Sequence, residues 1–171
     1  MIAALRHRRR RAEAAARLCA AVSRRAREPV FYREFLVADS IDGRFDVVAL
    51  HAWLVLERLQ QTGETALAQA FVDGLFSGFD QALREQGAGD IGMSRRMKKM
   101  AGAFYGRLRA YSESGEEGGL AAAILRNVYR GEPARVEHAA LFAKYVGIAR
   151  REIAGSRLAS GELNFPPIPA L

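Results

Sequence analysis

The sequence predicts an all-α protein: a single compact domain of about six to seven helices with a Pro-rich C-terminal tail. Three observations predict it. Apolar residues recur at helical spacing through most of the chain, and no run alternates with a period of two. Glycine and proline gather at a few points of punctuation: Asp42-Gly43, Thr62-Gly63, Gly87 to Gly92, Ser112 to Gly119, and Gly131-Glu132-Pro133. Half of the 171 residues are hydrophobic, enough to bury one core without a disulfide or a structural metal.

The elements follow in order. Residues 1–27 form a basic arm with a helix over 9–26. Nine arginines there face the one acid Glu13, so the arm carries +8 of a net charge of +7 and the rest of the chain sums to −1. Such an arm suits RNA or an anionic membrane surface; a mitochondrial presequence and a merely solvated helix are the lesser readings. Residues 28–157 form the helical domain, with segments at 30–37, 45–61, 64–86, 94–113, 118–129 and 134–156. The segment 45–61 is apolar nearly all the way round and belongs in the middle of a bundle, which places His51 and Trp53 in the core and leaves a thin polar strip of Asp46, Glu57, Gln60 and Gln61. Segment 64–86 has one apolar face, with Phe71, Leu75 and Phe79. Its polar stripe of Asp73, Ser77, Asp80 and Arg84 reads as a solvated side with an Asp80–Arg84 pair worth a few tenths of a kcal/mol. The tail, 158–171, holds three of the five prolines; it straps across the body through Phe165 and Ile168 or offers an extended peptide to a partner.

"GAGDIG", residues 87–92, is a literal G-x-G-x-x-G. A dinucleotide turn needs a strand before its first glycine, and the preceding "FSGFDQALREQ" is helical. The stretch reads instead as a helix–loop–helix joint. Gly87 ends one helix, Asp90 or Ser94 caps the next, and Arg84, Glu85, Gly89 and Asp90 form a polar corner. The helix that follows carries six bases and no acid between residues 94 and 111. Met97, Met100, Phe104, Leu108 and Tyr111 make its core face, and Arg95, Lys98, Lys99 and Arg109 its opposite face, with Gly102 and Gly106 among them. Glycine in an exposed helix interior costs roughly 1 kcal/mol against alanine. Two on one face imply a close approach, either by another helix of the same chain or by a docked partner.

Several function classes fall away. The longest apolar run, residues 47–56, is too short to span a bilayer, so membrane contact is peripheral. Cys19 is the one cysteine, and the three histidines, His7, His51 and His138, are far apart, so no metal-ligand spacing exists. No nucleophile–base order, phosphate loop or carboxylate pair is present, and the expectation is a non-enzyme without cofactor or metal. The body then reads as a binding protein, with client contact on Arg95, Lys98, Lys99, Gly102, Gly106 and Arg109; apolar surface for it would come from Phe71, Leu75, Phe79, Phe31 or Tyr32. The alternative is a basic RNA- or DNA-binding module built from the arm and the 94–111 helix, although aromatics are not interleaved with its bases.

Three stretches, "FYREFLVADSIDGRFDVVALHAWLVLERL", "ALREQGAGDIGMSRRMKKMAGAFYGRLRAY" and "LRNVYRG", together resemble the ubiquinol–cytochrome c chaperone family over roughly residues 30 to 131. The most specific pieces are Asp42-Gly43-Arg44-Phe45 leading into Leu50-His51, Leu83-Arg84-Glu85 through Gly89-Asp90, and Phe104-Tyr105-Gly106-Arg107. The resemblance implies a helical assembly factor, not an enzyme, whose client is newly made cytochrome b on its way into the bc1 complex. It also implies contact with the ribosome, and it marks Arg84, Glu85, Gly89, Asp90, Tyr105 and Arg107 as motif residues of the joint. The short, Ala/Arg/Gly-rich chain looks like a bacterial relative, cytoplasmic or peripheral at the inner membrane.

Overall fold

A helix with apolar residues on every side has to be surrounded, and that requirement arranges the molecule. The structure is a computed structural model that describes residues 1–85, 90–115 and 117–168. Its helices are α1 (Ile2–Ala26), α2 (Val30–Arg33), α3 (Ile41–Gln61), α4 (Thr65–Glu85), α5 (Asp90–Ser112), α6 (Glu117–Asn127) and α7 (Val136–Ala154), with 3₁₀ turns at Pro133–Arg135 and Leu158–Ser160. The described residues contain no strand. α3 lies at the centre and packs on α1, α4, α5 and α7, while α1 runs against α4 and α6 against α7. Val47, Ala49, Leu50, Trp53, Leu54 and Leu59 are all sealed from solvent.

α3 begins earlier than the turn residues suggest. Asp42-Gly43 does not precede the helix; it lies in its first turn. Ser40 adopts an extended backbone (φ −129°, ψ 170°) and its hydroxyl accepts the Gly43 N–H at 3.1 Å, capping the start. Gly43 is required there because a Cβ would fall 1.9 Å from the Ala38 carbonyl oxygen. α2 is shorter than the expected 30–37. Leu36 takes the left-handed region (φ 53°) and ends it, while Phe31, Phe35 and Val37 are all buried; core burial of three side chains outweighs the local backbone cost of about 1–2 kcal/mol.

α1 divides into two halves. Residues 3–13 are exposed, whereas Ala14, Ala15, Leu18, Ala21, Val22 and Ala26 form a buried stripe at helical spacing. The tail lies over this stripe. Gly161 is left-handed (φ 79°) and its missing Cβ would stand 3.0 Å from the Ala14 backbone; Phe165 and Ile168 pack on the core. The strap reading of the tail therefore describes its path.

Sealed polar groups must be matched. His51 is fully buried. Its Nδ1 lies 2.7 Å from the Val47 carbonyl, which can only accept, so Nδ1 carries the proton and Nε2 accepts from the Tyr145 hydroxyl at 2.9 Å. That hydroxyl accepts in turn from Arg25 Nε at 2.9 Å. Arg25 also donates to the Pro166 carbonyl of the tail and lies 5.5 Å over the Phe165 ring, whose edge meets His51 at 5.3 Å. One chain of hydrogen bonds thus ties α1, α3, α7 and the tail together.

Burial holds His51 down at about 4, against an ordinary 6.5; the Val47 hydrogen bond opposes the shift and the Arg25 charge adds to it. The unfolded chain binds a proton on this residue between those values and the folded chain does not, so stability falls as pH drops through that window and levels below it. We predict that His51→Gln lowers stability at neutral pH but removes a pH-dependent loss of roughly 3 kcal/mol between pH 6.5 and 4, read as the difference between variant and parent denaturant curves across that range.

Candidate functional site

α5 presents two opposed faces. Phe104 and Tyr111 are sealed, and Met100 and Leu108 are half-buried against the core; Phe104 meets Phe76 of α4 edge-on at 5.4 Å. Arg95, Lys98, Lys99, Gly102, Gly106 and Arg109 are exposed on the other side. A Cβ added at Gly102 or Gly106 would meet nothing within 4 Å. Neither glycine marks a crossing with another helix among the described residues. The crossing glycine is Gly74 of α4, whose Cβ would lie 2.9 Å from Cys19 Sγ of α1. Among the described residues, Arg95, Lys98 and Lys99 make no ion pair, and Arg109 pairs with Glu113, one residue past the end of α5, at 2.8 Å in solvent. Tyr105, 54 % exposed, stands beside the flattened strip and stacks on Phe76 at 6.4 Å.

Arg107 behaves differently from its basic neighbours. It turns inward, where its Nε lies 2.5 Å from Asp46 Oδ1 and its guanidinium 5.0 Å over the Phe45 ring. Asp46 is sealed rather than part of an exposed polar strip. Its Oδ2 lies 2.8 Å from Arg130 Nη1, an ionic contact that lacks hydrogen-bond alignment. Burial pushes the Asp46 carboxyl up, and the Arg107 and Arg130 charges pull against that. One carboxylate on α3 therefore anchors α5 and the end of α6. The chain turns sharply there, with both Arg130 (φ 57°) and Gly131 (φ 78°) left-handed.

Arg84 and Glu85 of the expected polar corner lie at the end of α4. Arg84 pairs with Asp80 at 2.8 Å and Glu85 accepts from Gln81 at 3.0 Å, both along α4, while Arg107 reaches α3. Gly87 and Gly89 lie outside the described residues. α5 starts at Asp90, so Ser94 is inside the helix and cannot cap it. Phe31, Phe71 and Leu75 are buried core residues and offer no client surface; Phe79 and Tyr32 are half-buried. His51, Trp53 and Phe104 are sealed, with Trp53 Nε1 donating to Ser112 Oγ of α5 at 3.0 Å.

Sequence reasoning missed Asp46, Arg130, Arg25 and Tyr145 as partners. For Arg25, and for Arg107 as the partner of Asp46, a signal existed. Arg107 stands three residues after Phe104 and four before Tyr111, and Arg25 four after Ala21 and three after Val22: both are at core spacing.

Residues 33–163 match the protein family described as Ubiquinol-cytochrome C chaperone. The chain belongs to this family. The fold is similar to that in the crystal structure of the Cbp3 homolog from Brucella abortus, with a TM-score of 0.81 at 35 % identity, covering 98 % of both chains. Ubiquinol-cytochrome c reductase complex assembly factor 1 of Mus musculus is 25 % identical over 120 residues, 68 % of this chain and 41 % of its own length. The Homo sapiens protein of the same name is also 25 % identical over 120 residues, with 40 % of its length covered. The chain thus spans about two fifths of these two curated relatives.

Arg107 is 15 % exposed and Arg130 52 %, so their losses should differ. We predict that Arg107→Met, which strands a sealed carboxylate, costs roughly 3 kcal/mol, whereas Arg130→Met costs about 1 kcal/mol or less. Adding Asp46→Asn to Arg107→Met should return part of the loss, and urea unfolding of the single and double variants measures it.

Proposed function

We propose that the protein is a non-enzymatic assembly factor for the ubiquinol–cytochrome c reductase (bc1) complex, and that it holds newly made cytochrome b against the basic, glycine-flattened face of α5. The observation that carries this reading is the open strip at Gly102 and Gly106, with no neighbour within 4 Å and cations around it, on a chain of the chaperone family. Helix glycines that no internal contact requires destabilise the fold, and a docked partner gives them a purpose. Backbone exposed by missing side chains lets a client helix approach closely, and Tyr105 supplies an amphipathic ring at the edge. Arg95, Lys98 and Lys99 keep the face hydrated until it is occupied and draw it toward anionic surroundings.

The exposed half of α1 serves the same task from another side. Arg6, Arg8, Arg10 and Arg11 make no ion pair among the described residues, and they suit the ribosome or an anionic membrane surface where a membrane protein is inserted. No described helix is long and apolar enough to cross a membrane, so the association proposed is peripheral. The family match lends no support to the nucleic-acid alternative.

Stability and function should separate at the glycines. We predict that Gly102→Leu and Gly106→Leu fold as well as the parent or better, with a gain of up to about 1 kcal/mol from helix propensity. Yet in a strain lacking the chromosomal gene they should fail to restore cytochrome b protein while its transcript persists. Full complementation by both, or normal cytochrome b in the deletion strain itself, contradicts the reading.

A further inference from the structure

Two hollows meet beside α3. The first, about 390 Å³, lies between α1, α3, α4 and α5, and no carboxylate lines it. Its walls include Val48, Leu75, Phe79 and the bare Gly74 and Gly78, together with the exposed Arg27 and Arg44. The second, about 510 Å³, lies between α3, α5 and the end of α6. Arg96, Lys99, Arg107, Arg126 and Arg130 line it against one acid, Asp42. Ile41, Phe45, Leu83 and Met100 border both, so the apolar hollow adjoins the cationic one along a shared edge.

Size and charge restrict the occupant. The first hollow lies within the usual range of small-ligand sites, a size that suits one flexible chain. In the second hollow Arg107 and Arg130 share the single sealed carboxylate Asp46, while Arg96, Lys99 and Arg126 make no ion pair among the described residues. Three exposed cations without a carboxylate partner, gathered on one hollow, match a phosphate, which accepts several charge-assisted hydrogen bonds at once. Cys19, at the wall of the apolar hollow, adds no reactive group: its thiol donates to the Phe71 carbonyl at 3.3 Å, and burial pushes it up to about 11.

We propose that the paired hollows bind a single-chain anionic lipid, its acyl chain between α1 and α4 against Gly78 and Phe79, and its phosphate among Arg96, Lys99 and Arg126. The site shares Lys99 with the outer face of α5, whereas Arg95, Lys98, Gly102, Gly106 and Arg109 do not line the hollow. It would give the protein a lipid-specific hold on a membrane in addition to the unspecific attraction of the arginine-rich helix. The inference is independent of the client reading and is read out in a purified system, so either can fail alone.

The test is calorimetric titration of the full chain with lauroyl lysophosphatidic acid below its micelle concentration, alongside lauroyl lysophosphatidylcholine and inorganic phosphate. Saturable one-to-one binding of the first, at least tenfold tighter than either control, is expected. Gly78→Leu projects into the apolar hollow from a position with nothing within 4 Å of its Cβ, and should weaken binding at least tenfold with the melting temperature kept. Arg126→Glu should do the same from the other end. No binding, phosphate binding as tightly as the lipid, unchanged binding by Gly78→Leu, or a loss that follows Arg8 to Arg11→Gln instead of the hollow overturns the proposal.

Discussion

Two polar residues on a helix with hardly an exposed side impose the constraint on which the rest of the molecule depends. Asp46 and His51, both on α3, are sealed from solvent, a buried carboxylate and a buried imidazole. Water cannot reach them, so each needs partners within the protein or the fold loses several kcal/mol. Asp46 draws in Arg107 of α5 and Arg130 after α6. His51 draws in Tyr145 of α7 and, through it, Arg25 of α1 and the tail. Apolar burial supplies the drive to surround α3; these two networks decide which surfaces do the surrounding and in what rotation.

The rotation of α5 matters for function. With Arg107 turned toward Asp46 and Phe104 toward Phe76, the strip of Gly102 and Gly106 and the bases beside it can only point outward. The buried ion pair and the open face are two consequences of one helix orientation. A chain that fixes its helix by a sealed charge pair, and then leaves two glycines unopposed on the far side, keeps a surface that stability alone does not explain. The same logic separates the glycines of α4, where Gly74 accommodates Cys19 and Gly78 opens onto a hollow.

Much of this was legible in the sequence. The helix count, the central place of residues 45–61, the core face of α5, and the cationic face with its two glycines follow from periodicity and composition. The rejection of the dinucleotide turn agrees with the helices found on both sides of residues 86–89. What was not legible has a physical reason in each case. Asp42-Gly43 has turn chemistry, but the glycine is there to let the helix start pass the Ala38 carbonyl, a contact that local sequence does not encode. Leu36 carries no glycine signal; tertiary burial of Phe35 and Val37 holds it left-handed. The partners of Asp46 and His51 lie 61 and 94 residues away, beyond any local pattern.

The central claim is that the outer face of α5, and not another side of the bundle, meets the client. Photo-reactive residues placed in cells at positions 95, 99 and 109, with positions 137, 144 and 151 on α7 as controls, test it most directly. The account predicts cytochrome b among the products captured from the three α5 positions and its absence from the α7 controls. Equal capture from both helices, or capture of cytochrome b from α7 alone, would contradict it.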